Sequence, residues 1–378
     1  MKILIAFGTR PEAIKMAPLI HMFSNIDVIE LLVCVTGQHR QMLDQVLSIF
    51  DIKPDIDLDI MSPGQSLSGI TSIILTRMSD VLSQHKPDLV LVHGDTTTAF
   101  ATALAAFYMD VKIGHVEAGL RTNNFKAPFP EEFNRQIISK IAHLHFAPTE
   151  TSKRNLIREG VNKSQIEVTG NTVIDSMYFM LNKIETDKVK KNEITNSIIK
   201  NLGFDFVNDK YVLITGHRRE NFGEGFLEIC KAIKELAVKF LDVRFVYPVH
   251  LNPLVQKPVF EILGDQTNVH LIQPQKYESF LMLLKNSYLV LTDSGGVQEE
   301  APSLGKPVLV MRDVTERPEA VEAGTVKLVG SNSNKIVANV SDLLMNQLTY
   351  NSMSTAHNPY GDGLSCKRIL TKILSDDF

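Results

Sequence analysis

Tryptophan is absent from the 378 residues, and cysteine occurs three times only, as Cys34, Cys230 and Cys366. The three thiols lie far apart without metal-ligand spacing, which excludes a disulfide framework and points to a reducing, cytoplasmic compartment. No apolar run approaches the ~20 residues that span a bilayer, so no membrane partner is expected. The first residues, MKILIAFGTRPE, carry one lysine and a short apolar run that ends in a polar turn, and they read as a first strand rather than a signal peptide. Several cofactor signatures are also missing. No GxGxxG follows the first strand, Leu304-Gly-Lys-Pro307 lacks the upstream glycine and the Ser/Thr of a P-loop, and Thr292-Asp-Ser-Gly-Gly296 lacks the leading glycine of a nucleophile elbow. His143 and His145 share a strand face without further ligands, so neither a metal nor an organic cofactor is expected. A net charge of -4 argues against a nucleic-acid surface spread over the molecule.

What is present is a soluble α/β composition, 44% hydrophobic and 22% charged, in a chain longer than one core usually supports. Short apolar runs alternate with helical patterns at Ile3–Phe7, Leu31–Val35, Leu89–Val92, Ile113–Val116 and Leu144–Ala147. A second series follows at Tyr211–Thr215, Phe245–Val249, Val269–Ile272, Leu289–Thr292 and Val308–Met311. This alternation predicts two Rossmann-like, doubly wound domains facing across a cleft. The boundary is expected near Gly170, giving an N-terminal domain 1–170 on which a closing helix in 364–378 packs back, and a second domain 171–363. The Lys- and Asn-rich stretch Lys183–Asn201 reads as a solvated surface excursion, and Ser352–Pro359 as a polar turn.

Ligands of open α/β sheets sit beyond the carboxyl ends of the strands. Those ends read GTRPEAIK, TGQHRQM, HGDTTT, VEAGLRT, TGHRREN, PVHLNP, IQPQ and TDSGGVQEE, and they hold nearly every distinctive polar residue. Arg10 and Lys15 flank a helix start where they can reach a phosphate. TGHRREN crowds a histidine and two arginines into one turn, which an anion such as a diphosphate would neutralise. Gly295 and Gly296 open a helix whose N–H groups suit an anion, yet Glu299 and Glu300 lie one turn on. Asp95, Glu117 and, after two prolines, Glu131 and Glu132 with Arg135 add carboxylates. One strand-end carboxylate is commonly a helix N-cap, but several converging ones supply acids and bases.

With GTRPEAIK, GDTTT, HVEAGLRT, PFPEEFNR, HRREN, PVHLNP and SGGVQEEAPSLGKPVLV in one order, the chain closely resembles the non-hydrolysing UDP-N-acetylglucosamine 2-epimerases from Met1 to about Gly330. The resemblance implies the two-domain GT-B fold, a cytosolic homodimer, a UDP-sugar substrate and no NAD or metal. It implies binding of the diphosphate by Ser294, Gly295 and Gly296, of the ribose by Glu300, and further nucleotide contacts from Arg10, Lys15, His217 and Arg317. Gln275 and Phe280 fall where the uracil pocket is expected, and Arg135 belongs to the substrate set. Asp95, Glu117, Glu131 and His217 match the catalytic group. The implied reaction removes UDP from C1, forms 2-acetamidoglucal, and restores the sugar with C2 inverted, supplying ManNAc-type precursors for surface polysaccharide such as capsule. Gln38-His39-x-Gln41 resembles part of an allosteric pocket in which some members bind a second substrate molecule, but an arginine that contributes there is Gly64 here.

Other readings share the UDP site. A relative could epimerise a 2,3-diacetamido uronic acid, a hydrolysing epimerase would release ManNAc, and a GT-B glycosyltransferase would need an acceptor groove. A non-catalytic nucleotide-sugar sensor would not need three carboxylates.

Overall fold

The computed structural model describes every residue except His39, Pro63, Glu316, Asp377 and Phe378, and the side chain of Arg219. The chain divides into two compact units, Met1–Ser176 with Tyr360–Phe378, and Met177–Pro359. The first crossing falls inside the helix Thr172–Thr186.

In the first unit seven strands form one sheet: β1 (Lys2–Phe7), β2 (Glu30–Val35), β3 (Ile56–Asp57), β4 (Leu89–His93), β5 (Lys112–Val116), β6 (Leu144–Ala147) and β7 (Ile166–Val168). Their order is β3-β2-β1-β4-β5-β6-β7, and the pairs are parallel. The chain reverses direction across the sheet between β1 and β4, so the loops after these two strands part and leave room beyond their ends. Ile3–Phe7 and Leu89–Val92 are fully buried, as expected of strands covered on both faces. Each such aliphatic side chain contributes roughly 1.5–3 kcal/mol. The covering helices begin where polar side chains replace missing partners: Thr96 accepts from Ala99 N at the start of Thr97–Tyr108, and Ser66 does so from Gly69 N at the start of Leu67–His85.

The second unit repeats the plan with β8 (Tyr211–Thr215), β9 (Arg244–Pro248), β10 (Val269–Ile272), β11 (Leu289–Thr292), β12 (Val308–Val310) and β13 (Val326–Leu328) in the parallel order β10-β9-β8-β11-β12-β13. Its reversal point lies between β8 and β11.

Three short edge or near-edge strands, β3, β7 and β13, escape the sequence pattern because two or three residues cannot display a period. The stretch 183–201 is largely solvated, as expected, but it is helical. Thr172–Thr186 runs into it, and Lys188–Leu202 follows, with Asp187 accepting from Lys190 N and Gly203 closing it at φ +74°. Lysine and asparagine mark the wet face only, while Ile198 and Leu202 are buried four residues apart. Likewise the helix Gln347–Ser354 takes the first residues of the expected turn 352–359.

The helix Ser365–Ser375 belongs to the first unit and packs beside the helix Arg10–Phe23 and β7. Cys366, Ile369 and Ile373 are its buried face. Asp175 receives its free N–H groups, from Ser365 at 3.2 Å and Cys366 at 2.9 Å.

Candidate active site

In the first unit the turn after β1 is held by Glu12. This buried carboxylate accepts from Gly8 N (3.1 Å), Thr9 N (2.8 Å), Thr9 Oγ1 (2.7 Å) and Thr96 Oγ1 (2.6 Å), and burial pushes its pKa up. Gly8 is crowded: a Cβ there would stand 2.1 Å from Thr36 Oγ1 and 2.4 Å from Thr98 Oγ1. The turn launches the helix Arg10–Phe23, which carries Arg10, half-buried, at its first position and Lys15 about one turn later.

Lys15 Nζ is ion-paired with Glu117 Oε2. The same oxygen accepts from Asn171 Nδ2 at 2.6 Å and lies 3.8 Å from His93 Nε2. Glu117 follows β5 and sits at φ +63°, a conformation that a non-glycine residue holds only when its surroundings compel it. Burial lowers the His93 imidazole to about 4, so it stands neutral beside this carboxylate.

Asp95 follows β4, the neighbour of β5. Its Oδ2 receives Arg135 Nη2 at 2.8 Å, and its carbonyl receives Asn134 Nδ2. Burial raises the Asp95 carboxyl to about 6; Arg135 opposes that rise, while the negative charges of Glu117 and Glu131 add to it. Glu131 is the first residue of the helix Glu131–Ile141, which therefore presents Glu131 and Arg135 one turn apart. Glu132 has a different task. Fully buried, it accepts from Thr122 N (3.0 Å) and Asn123 N (2.9 Å) and so ties down the loop after β5.

Gln38 is half-buried and accepts from Thr98 Oγ1 at 3.2 Å, while Gln41 is exposed at the start of the helix Arg40–Ile49. His39 lies outside the described residues. Gly64 has φ +72° with open space around it.

The second unit gathers the other set of sequence-predicted residues. The helix Gly295–Ser303 starts after Ser294, whose side chain makes no capping bond, and its first N–H groups carry the positive end of the helix dipole. Arg317 lies against this start: a Cβ on Gly295 would meet Arg317 Nη1 at 2.7 Å. Glycine is thus required for the close approach, and Gly296 has open space where a ligand can come near. Arg317 is fixed by an ion pair with buried Glu299. Glu300, also buried, accepts from Tyr277 Oη at 3.2 Å. Tyr277 opens the helix Tyr277–Asn286, which carries Phe280, half-buried; Gln275, just before it, donates to Gln273 O at 2.6 Å.

His217 stands in the turn after β8, with 44% of its side chain exposed. Its imidazole stacks on His250 at 5.2 Å and 12°, and burial lowers its pKa. Glu220 of TGHRREN pairs with Arg312, a cation outside that turn.

The sequence-predicted residues thus fall into two sets, one in each unit, all at the carboxyl ends of strands. Sequence reasoning missed Asn171, His93 and Asp293. Asn171 follows β7, a strand too short to recognise; His93, the last residue of β4, stands in the strand end HGDTTT with nothing local to set it apart.

A family model described as UDP-N-acetylglucosamine 2-epimerase matches residues 22–374. The chain is 58% identical over 376 residues to the UDP-N-acetylglucosamine 2-epimerase of Campylobacter jejuni, covering 99% of this chain and 97% of that protein. It is 55% identical over 370 residues to that of Escherichia coli K12, covering 98% and 97%. Among solved structures, the UDP-GlcNAc 2-epimerase of Neisseria meningitidis bound to UDP-GlcNAc superposes with a TM-score of 0.90 at 52% identity and full coverage of both chains, 100% and 100%. The UDP-GlcNAc 2-epimerase of Methanocaldococcus jannaschii does so with a TM-score of 0.85 at 35% identity, again covering 100% of each.

Proposed function

The chain belongs to the UDP-N-acetylglucosamine 2-epimerase family, a family of isomerases, and from that premise we propose that it inverts C2 of UDP-GlcNAc to give UDP-ManNAc by eliminating and re-adding UDP. The C2 proton is not flanked by a carbonyl, so direct deprotonation is too slow to be useful. Departure of UDP from C1 leaves positive charge there and acidifies C2–H. In this reading the helix start at Gly295 and Gly296, with Arg317, receives the diphosphate, Glu300 takes the ribose hydroxyls, and Gln275 and Phe280 face the base.

The observation that supports the reaction best is the unequal treatment of two neighbouring carboxylates. Glu117 is ion-paired with Lys15 and accepts a hydrogen bond from Asn171. Asp95 is lifted to about 6, near the pH at which it both holds and releases a proton. Inversion needs one group to remove a proton and another to return one on the opposite face. Asp95, with Glu117 and Glu131 beside it, offers carboxylates for both tasks.

Proton NMR of the protein with UDP-GlcNAc in deuterated water tests this. Conversion to an equilibrium mixture with UDP-ManNAc, with deuterium at C2 of both epimers, is the expected outcome. Free ManNAc and UDP would make the enzyme hydrolysing, and an unchanged spectrum would overturn the substrate assignment.

A further inference from the structure

Asp293 has no role in the scheme above, yet it is placed like a working residue. It is fully buried at the end of β11, next to the helix start that holds the anion set. Its Oδ2 accepts two backbone N–H groups, His217 N and Arg218 N, both at 2.8 Å. Its Oδ1 lies 3.6 Å from His217 Nδ1 and has no hydrogen-bond partner among the described residues. The turn is fastened from other directions as well. Asp293 N donates to Thr215 O (3.0 Å), the hydroxyls of Thr215 and Thr292 meet at 2.5 Å, and Tyr247 Oη donates to Gly216 O at 2.9 Å. A buried carboxylate with one committed oxygen and one aimed at an imidazole is a device for orienting that ring and for holding it when charged.

We propose that Asp293 is a positioning residue that makes His217 the proton-accepting partner of the diphosphate, so that binding of a nucleoside diphosphate draws a proton from solvent onto His217. Neutral imidazole becomes imidazolium, held between Asp293 on one side and a phosphate oxygen on the other. The groups that face the ring decide when this happens. Asp293 favours the charged form; His250, stacked on it, and Arg218 oppose it, as does burial. In the free protein the imidazole is therefore neutral near neutral pH. A bound diphosphate adds negative charge to the Asp293 side of this balance and reverses it. The inference rests on the nucleotide reading given above and adds to it that the cation stabilising the departing UDP is formed on binding.

The test is calorimetric titration of the whole protein with UDP at about pH 7.5, in two buffers of unlike ionisation enthalpy. At that pH the phosphates are already deprotonated, their second pKa being about 6. We expect uptake of between about half and one proton per chain, reduced several-fold in D293N and abolished in H217Q. The amide oxygen that D293N retains can still accept the two backbone N–H groups, so the turn survives in that variant. Should D293N nevertheless fail to fold, the His217 C2–H resonance of the native protein, assigned by its loss in H217Q, gives the same answer, because its pKa must rise when UDP is added. Equal heats in both buffers, or the same uptake in H217Q, would overturn the proposal while leaving nucleotide binding intact. No heat with UDP in any buffer would instead defeat the nucleotide reading on which it stands.

Discussion

Asp95, proposed above to handle the C2 proton, carries a cost in stability. The unfolded carboxyl titrates at 3.8 and the folded one at about 6, so between those values the folded protein holds the extra proton. Stability therefore rises as pH falls through this window, and the penalty of the buried charge is complete above it. Asp95→Asn should abolish turnover yet raise the melting temperature at about pH 7.5, corresponding to roughly 1–2 kcal/mol, with the gain fading toward pH ~4. Thermal melts by circular dichroism from acid to neutral pH decide the matter. A lower melting temperature at neutral pH would mean that the charge pair with Arg135 outweighs burial. Residue roles at this scale were legible where the sequence showed a carboxylate directly after a long apolar strand, as at Asp95 and Glu117. They were hidden where chemistry depends on a contact across the fold. Nothing in TGNTVID announces that Asn171 donates to a carboxylate 54 residues away, and nothing in PEEFNR tells Glu131 from Glu132. The second of these turns inward to staple a loop, while the first stays at the helix start.

The elements owe their positions to a few tight junctions, of which the turn after β1 is the most constrained. Gly8→Ala would drive a methyl into the hydroxyls of Thr36 and Thr98, which themselves meet at 2.9 Å. The expected loss is about 1–3 kcal/mol with reduced activity, since Arg10 and Lys15 ride on the helix that follows. Thr36→Ala with Thr98→Ala in the same chain should recover much of it, by chemical denaturation; the absence of any recovery would locate the strain elsewhere. Long buried strands and the closing helix were readable because their side chains repeat at a clear period. The helix Lys188–Leu202 was not, because its wet face dominates its composition and its buried stripe is only a few residues long.

At the scale of the molecule, two similar apolar series in the sequence correspond to two parallel sheets with the same reversal, and that likeness was visible without coordinates. Among the described residues no helix is long and apolar enough to cross a membrane. One unit is assembled from two separate pieces of chain, 1–176 and 360–378. A protein shortened to end at Pro359 would lose the buried side chains of Cys366, Ile369 and Ile373, each worth roughly 1.5–3 kcal/mol for a large aliphatic, and would leave Asp175 buried without its two N–H partners. On the proposed nucleotide reading the diphosphate set lies within residues 177–359, so we expect the shortened protein to retain UDP binding and to lose epimerase activity as its first unit loosens. Retention of full activity would show that the last helix is dispensable.

This discontinuity also sets a timetable for synthesis. The segment Met177–Pro359 leaves the ribosome as a complete piece, while the earlier segment must wait for the helix Ser365–Ser375 to be made. About two hundred residues separate the two halves of the waiting unit, which at 5–20 residues per second is roughly 10–40 s. During that interval the nascent chain carries an uncovered apolar stripe along Arg10–Phe23 and β7. Such a surface invites a chaperone, and it makes the emergence of the closing helix, rather than the first domain boundary, the moment at which the first unit acquires its final scaffold.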